Sequence, residues 1–167
     1  MSRVYLLRHA RAAFPQPGMR DFDRPLEKDA DDEAESLGIA MRANGQRPES
    51  VVCSSARRTR ETWSHVAHGL ELDPAMAEFS DDLYCTDAAG YIDVIRSHKD
   101  KDSVMLVGHN PMLEELAFSL SGRGNGCGTL GEGFATCGLA VIDFDEPLGN
   151  VAPGKGCLSL FMTPDDL

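Results

Sequence analysis

Three places in this 167-residue chain hold residues suited to chemistry on an anion. Arg8 and His9 directly follow the apolar run VYLL at 4–7. Arg58 lies just past the run SVVC at 50–53. His109 follows SVMLV at 103–107 and Gly108. A guanidinium grips an oxyanion through its planar fork and keeps its charge at any working pH. An imidazole beside it can attack the anion's central atom or move a proton. Two arginines suit the equatorial oxygens of a phosphoryl group. Of the two histidines, one can be the nucleophile and the other a stabiliser.

These residues converge only if the elements before them are neighbours. The three apolar runs read as buried strands. A weaker strand is expected at 75–79, and two late ones, at 137–144 and 157–162, can pair as a hairpin at a sheet edge. Helical spacing appears at 27–43, with Ala34, Leu37, Ala40 and Met41 on one face. It recurs at Trp63, Val66, Ala67 and Leu70, at Ala88, Tyr91, Ile92 and Ile95, and at Leu113, Leu116, Ala117 and Leu120. Ser54 or Ser55, Thr86 and Asn110 are expected caps, with Pro111 at a first helical position. Residues 80–84 read as a loop, and the Gly-rich stretch 121–133 as a mobile one. Strands alternating with helices predict an α/β chain, a three-layer α/β/α sandwich with a mostly parallel central sheet and helices on both faces. Residues 1–167 are expected to form a single domain. Ligands of such sheets sit outside the carboxyl ends of the strands, where Arg8, His9, Arg58 and His109 would meet. The helix after Pro111 would add first-turn amides as an anion seat. Arg57 and Arg60 leave their helix at other angles and are expected at the surface. Arg11, Arg20 and Arg24, in the loop after His9, either rim the pocket or lie on plain surface.

The net charge of −11 argues against nucleic acid or an anionic membrane as partner. No run is long enough for a membrane span or arranged as a signal peptide, so a cytoplasmic location is expected. The five cysteines, Cys53, Cys85, Cys127, Cys137 and Cys157, are odd in number and lack a C-x-x-C pair. They read as reduced and mostly buried thiols. GNVAPGKG at 149–156 nearly spells a phosphate-binding P-loop. It has Gly156 where a hydroxyl should bind magnesium, and a strand rather than a helix follows. A cysteine-based phosphatase needs Arg six positions after its Cys. From Cys53 that position is Thr59, so Cys53 reads as a core thiol. His65 and His68 have no evident third metal ligand and read as surface residues.

Three motifs, LLRHARA, SSARRTRET and VGHNP, resemble the signature segments of the histidine phosphatase superfamily. The layout is similar to its SixA-type phosphohistidine phosphatases, as are DFDRPL, DDLY and ATCGLAVID. The resemblance covers nearly the whole chain. It departs from the pattern at EKDADDEA and at Ser55, neither of which touches the pocket residues. It implies a phosphoglycerate mutase-like fold, with His9 as the phosphorylated nucleophile and Arg8, Arg58 and His109 completing the phosphate pocket. Asp81, three positions before Tyr84, is implied as the proton donor, with Asp82 adjacent.

The resemblance further implies a phosphatase without metal or other cofactor, acting on phosphohistidine in a protein such as a histidine-phosphotransfer domain. The alternatives are a small-molecule phosphomonoesterase or phosphoglycerate mutase-like enzyme, and a non-catalytic phosphate- or phosphoprotein-binding module. An acid placed for the leaving group favours catalysis over the last.

Overall fold

The run that ends in Arg8 forms β1 (Ser2–Arg8), and its alternate side chains enter two different cores. In the computed structural model, which describes residues 1–122, 130 and 133–167, β1 lies inside a six-stranded sheet. The other strands are β2 (Ser50–Ser54), β3 (Ala77–Ser80), β4 (Ser103–Gly108), β5 (Leu139–Phe144) and β6 (Cys157–Met162), in the order β3-β2-β4-β1-β5-β6. β3, β2, β4 and β1 run parallel, whereas β5 pairs antiparallel with β1 and β6 antiparallel with β5. The expected late hairpin is present, with β6 on the edge.

Five helices are described: α1 (Ala30–Ala43), α2 (Arg57–Leu70), α3 (Asp82–Cys85), α4 (Ala88–Ser97) and α5 (Met112–Ser121). Tyr5 and Leu7 of β1 pack with Leu37 and Met41 of α1 and with Trp63, Val66 and Leu70 of α2. Val4 and Leu6 pack on the opposite face with Tyr91 and Ile95 of α4 and with Leu113, Leu116 and Leu120 of α5. The period-2 alternation of the strands thus fills both cores, as a sheet covered on both sides requires. Where α1 meets α2, a Cβ on Gly38 would stand 2.2 Å from the Val66 carbonyl oxygen, and one on Gly69 would stand 2.2 Å from that of Glu35. The two helices touch backbone to backbone there, which fixes α2 and the arginine at its start. No helix among the described residues is long and apolar enough to cross a membrane.

Local chemistry shifts several boundaries. α1 begins at Ala30 rather than 27, and its N-cap Asp29 makes no side-chain cap bond. Ala56 is the N-cap of α2, leaving Ser54 and Ser55 for other partners. The residues expected as a loop at 80–84 include the first turn of α3. Asp87 rather than Thr86 caps α4, accepting from the Gly90 amide at 3.0 Å. Of the four described cysteines, Cys53 and Cys137 are buried and Cys85 and Cys157 exposed, all as free thiols. Burial pushes the Cys53 thiol up, consistent with an inert core residue. Cys127 and most of the stretch 121–133 lie outside the described residues.

Candidate active site

The sheet order brings the carboxyl ends of β2, β4 and β1 side by side. Arg8 is in register with Gly108, and Cys53 with Val107. His9 continues the ladder, its amide donating to the Gly108 carbonyl at 3.1 Å. The rings of His9 and His109 come together with centroids 5.4 Å apart. Gly108 is required at this corner. A Cβ there would lie 2.4 Å from the buried Tyr91 hydroxyl, which donates to the Leu83 carbonyl at 2.9 Å.

Backbone contacts set the tautomer of His9. Its Nδ1 lies 2.7 Å from the Ala10 carbonyl oxygen, an acceptor only, so Nδ1 carries the proton and Nε2 keeps its lone pair. Burial comes first in pushing His9 down to about 4, with the charges of Arg58, Arg8 and Arg24 adding to it. His109 is pushed down to about 3, again by burial first and then by His9 and Arg58. Both rings are neutral at pH 7, and desolvation contributes more to this than the arginines.

The two arginines are held differently. Arg8 donates from Nη1 to the Phe134 carbonyl at 2.7 Å, and its Nε is buried with no partner among the described residues. His109 Nδ1 is likewise buried and unpartnered, while its Nε2 lies 2.8 Å from Ser54 Oγ. Arg58, 7% exposed, emerges from the first turn of α2. It donates from Nη1 to the Asp21 carbonyl at 2.8 Å and from Nη2 to Asp21 Oδ2 at 3.0 Å. Arg57 pairs with Glu61 and Arg60 stacks over Phe79, so the neighbours of Arg58 face elsewhere.

An aromatic wall stands beside His109. Tyr84 meets it edge-on at 5.6 Å, and Phe22 meets Tyr84 edge-on at 5.2 Å. Phe22 also borders a neighbouring groove of about 550 Å³, whose lining includes Arg57, Arg60, Trp63 and Phe79 but neither histidine.

Asp21, which sequence reasoning passed over, is the carboxylate bonded to this cluster. The 3-10 turn Asp21–Asp23 places it, and the motif DFDRPL held the signal. Burial raises its carboxyl, but Tyr84, Arg24 and Arg58 together outweigh that and hold it at about 2. Asp81 is tied instead to Ser55, whose hydroxyl donates to its Oδ1. Asp82 borders another surface depression, with Cys85 and Asp93. The expected anion seat on α5 is partly filled. The Leu113 amide donates to the His109 carbonyl, and the Glu114 amide to Asn110 Oδ1 at 3.3 Å. Asn110 therefore bonds the first turn although Pro111 is the N-cap. Arg24 reaches Asp21, whereas Arg20 pairs with Asp23, and Arg11 with Glu27 and Glu33. His65 and His68 pair with Asp31 and Glu35 at the surface. Among the described residues, no three His, Cys, Asp or Glu side chains are gathered as a metal site.

Comparison with known proteins shows what the chain is related to. The model of the histidine phosphatase superfamily, branch 1, matches residues 4–83, which carry the first two clusters. An uncharacterized protein of Mycobacterium tuberculosis is 34% identical over 163 residues, spanning 95% of this chain and 99% of the relative. The chain belongs to the histidine phosphatase superfamily. A crystal structure from Agrobacterium tumefaciens, assigned as the phosphohistidine phosphatase SixA, is 34% identical with a TM-score of 0.85, covering 98% of both chains. A protein from Nakamurella multipartitia with the same assignment is 26% identical, with a TM-score of 0.84 over 98% of this chain and 96% of that one. The sheet and its two helical layers are thus the phosphoglycerate mutase-like fold of the SixA structures. Membership of this superfamily supports phosphatase activity on a phosphorylated substrate.

Proposed function

We propose that this phosphatase uses His9 as its nucleophile and removes phosphate from phosphohistidine in a protein. The observation that carries the reading is the His9 ring itself. It is neutral, fixed by the Ala10 carbonyl, set beside the His109 ring, and close enough to Arg58 and Arg8 for their charges to act on it. Arg8 Nε and His109 Nδ1, both buried and without a partner among the described residues, fit the same role. Leaving such groups unpaired is costly, and a phosphoryl oxygen is the acceptor each lacks.

In the first step Nε2 of His9 attacks phosphorus, and the bond to the leaving nitrogen breaks. Arg8, Arg58 and His109 hold the charge spread over the equatorial oxygens. The leaving imidazole takes up a proton, for which Asp81 is the candidate donor. In the second step water attacks phosphorus, the His9–phosphorus bond breaks, and orthophosphate leaves. The protein's own cations supply the charge, so turnover is expected to survive a chelator.

The acid, the open loop after His9 and the neighbouring groove support a phosphoprotein over a free metabolite. Asp81 is held by the Ser55 hydroxyl, and a labile P–N bond depends less on a well-placed acid than an alkoxide leaving group does. Phe14, in the loop after His9, is 86% exposed rather than packed as a lid. Phe22 opens onto the neighbouring groove, which offers contact area for a folded partner. The similarity to the Agrobacterium protein points the same way.

The test compares kcat/KM on a phosphorylated histidine-phosphotransfer domain with that on a panel of phosphorylated metabolites. The phosphoprotein is expected to be preferred. A metabolite turned over at about 10⁴ M⁻¹s⁻¹ or faster, with the phosphoprotein untouched, would favour the small-molecule reading.

A further inference from the structure

We propose that Asp21 is a positioning residue that aims the Arg58 fork, and whose charge keeps affinity for free orthophosphate low. The proposal rests on Arg58 binding phosphate, as the phosphatase reading holds.

Asp21 occupies one side of the guanidinium with two acceptors, its carbonyl oxygen at 2.8 Å and Oδ2 at 3.0 Å. Oδ2 also accepts from the Tyr84 hydroxyl at 2.8 Å, and Oδ1 from Arg24 Nη1 at 3.1 Å. The same carbonyl accepts from the Arg24 amide at 3.1 Å. Arg24 is braced in turn by the Ala13 carbonyl at 3.0 Å. One residue thus ties the loop after His9 to Arg58 and to the wall beside His109. Arg58 has five N–H donors; Asp21 engages two of them, and the Tyr84 ring centroid lies 5.9 Å from the guanidinium carbon.

A long arginine side chain has many rotamers, and fixing the fork before substrate arrives removes that freedom from the binding and reaction steps. The carboxylate has a second effect. It neutralises part of the Arg58 charge and repels a phosphate dianion on the same fork. The transferred phosphoryl group gains from the aimed fork in the transition state. The product, a free dianion, meets the repulsion without that gain. A site with Arg8, Arg58 and Arg24 and no such carboxylate would retain orthophosphate more tightly.

The two effects separate by substitution. Asp21→Asn keeps an oxygen to accept from Arg58 and Tyr84 but loses the charge. Asp21→Ala loses both and leaves only the backbone carbonyl on Arg58. Orthophosphate binding is measured by calorimetry on wild type, both variants and Arg58→Ala, beside p-nitrophenyl phosphate kinetics. Asp21→Asn is expected to bind orthophosphate about tenfold more tightly than wild type, an effect that falls with salt. Asp21→Ala is expected to lose about tenfold or more in kcat/KM relative to Asp21→Asn, with its melting temperature checked separately. An Asp21→Asn Kd within twofold of wild type, or weaker, would overturn the charge effect, and the proposal with it. Equal kcat/KM in the two variants would overturn the positioning role. Calorimetry needs no turnover, so a wild type that binds orthophosphate while Asp21→Asn is unchanged sinks only this proposal. A wild type that neither binds orthophosphate nor hydrolyses anything sinks the phosphatase reading as well.

Discussion

Ser54 Oγ and His109 Nε2 lie 2.8 Å apart and join the ends of β2 and β4. Ser54 is fully buried, and its own carbonyl accepts from Thr59 Oγ1 at 2.7 Å, so the serine is fixed to α2. When the Ser54 hydroxyl donates to Nε2, the proton of His109 sits on Nδ1, the buried atom that lacks a partner among the described residues. That tautomer turns His109 into a donor for a phosphoryl oxygen. Ser54→Ala is therefore expected to lower kcat on p-nitrophenyl phosphate by about tenfold, the scale of one misaligned hydrogen bond. Steady-state kinetics check this, and an unchanged kcat would remove Ser54 from the account.

Arg58 and Arg57 are adjacent in sequence and opposite in environment. Arg58 is buried against Asp21, and Arg57 pairs with Glu61 at the surface. Arg58→Ala is expected to lose about two or more orders of magnitude in rate, as for removal of a transition-state donor. Arg57→Ala is expected to stay close to wild type. Parallel kinetics on the two variants decide it, and a crippled Arg57→Ala would move the assignment.

The depressed histidines predict an acid-side loss of stability. An unfolded histidine takes up its proton near pH 6.5, whereas His9 and His109 resist it down to about 4 and about 3. Above pH 6.5 both states are neutral and these groups contribute no pH dependence. As pH falls below 6.5 the unfolded state binds more protons, so stability drops until the folded rings titrate. Asp21 adds a further loss at lower pH, below its ordinary value of 3.8 and down to about 2. Melting temperatures between pH 7 and 4.5 should fall less for a His9→Asn, His109→Asn double variant than for wild type.

Gly108→Ala tests the corner that presents His109. The added methyl meets the Tyr91 hydroxyl, whose bond to Leu83 also holds the end of α3. Overpacking of this kind costs about 1–3 kcal/mol. A lowered melting temperature together with a reduced kcat is expected. A variant as stable and as active as wild type would show that the corner relaxes freely.

The fold was legible because its signals are local and redundant. Three apolar runs of strand length each lead to a helix with one apolar stripe, and that pattern admits few arrangements. The sheet edge that gathers Arg8, His9, Arg58 and His109 required in addition that β2, β4 and β1 be neighbours, which the sheet order supplies. What escaped was chemistry between segments distant in sequence. Asp21 sits in a Pro- and Gly-punctuated loop with no periodicity, and it meets Arg58 and Tyr84 across 37 and 63 positions. Ser54 looked like a cap because serine before a helix usually is one, yet its hydroxyl lies against His109. The short helix α3 hid for a similar reason, since four residues show no period.

The central claim is that His9 carries the phosphoryl group during turnover. The direct measurement is rapid acid-free quenching of enzyme mixed with phosphorylated substrate, followed by mass spectrometry of the peptide containing Arg8 and His9. A single added phosphoryl group on His9 is predicted, labile to acid and stable to alkali. It should be absent from His9→Ala, whose turnover should fall by more than about a thousandfold. Phosphate found on another residue, or His9→Ala turning over near the wild-type rate, would contradict the account.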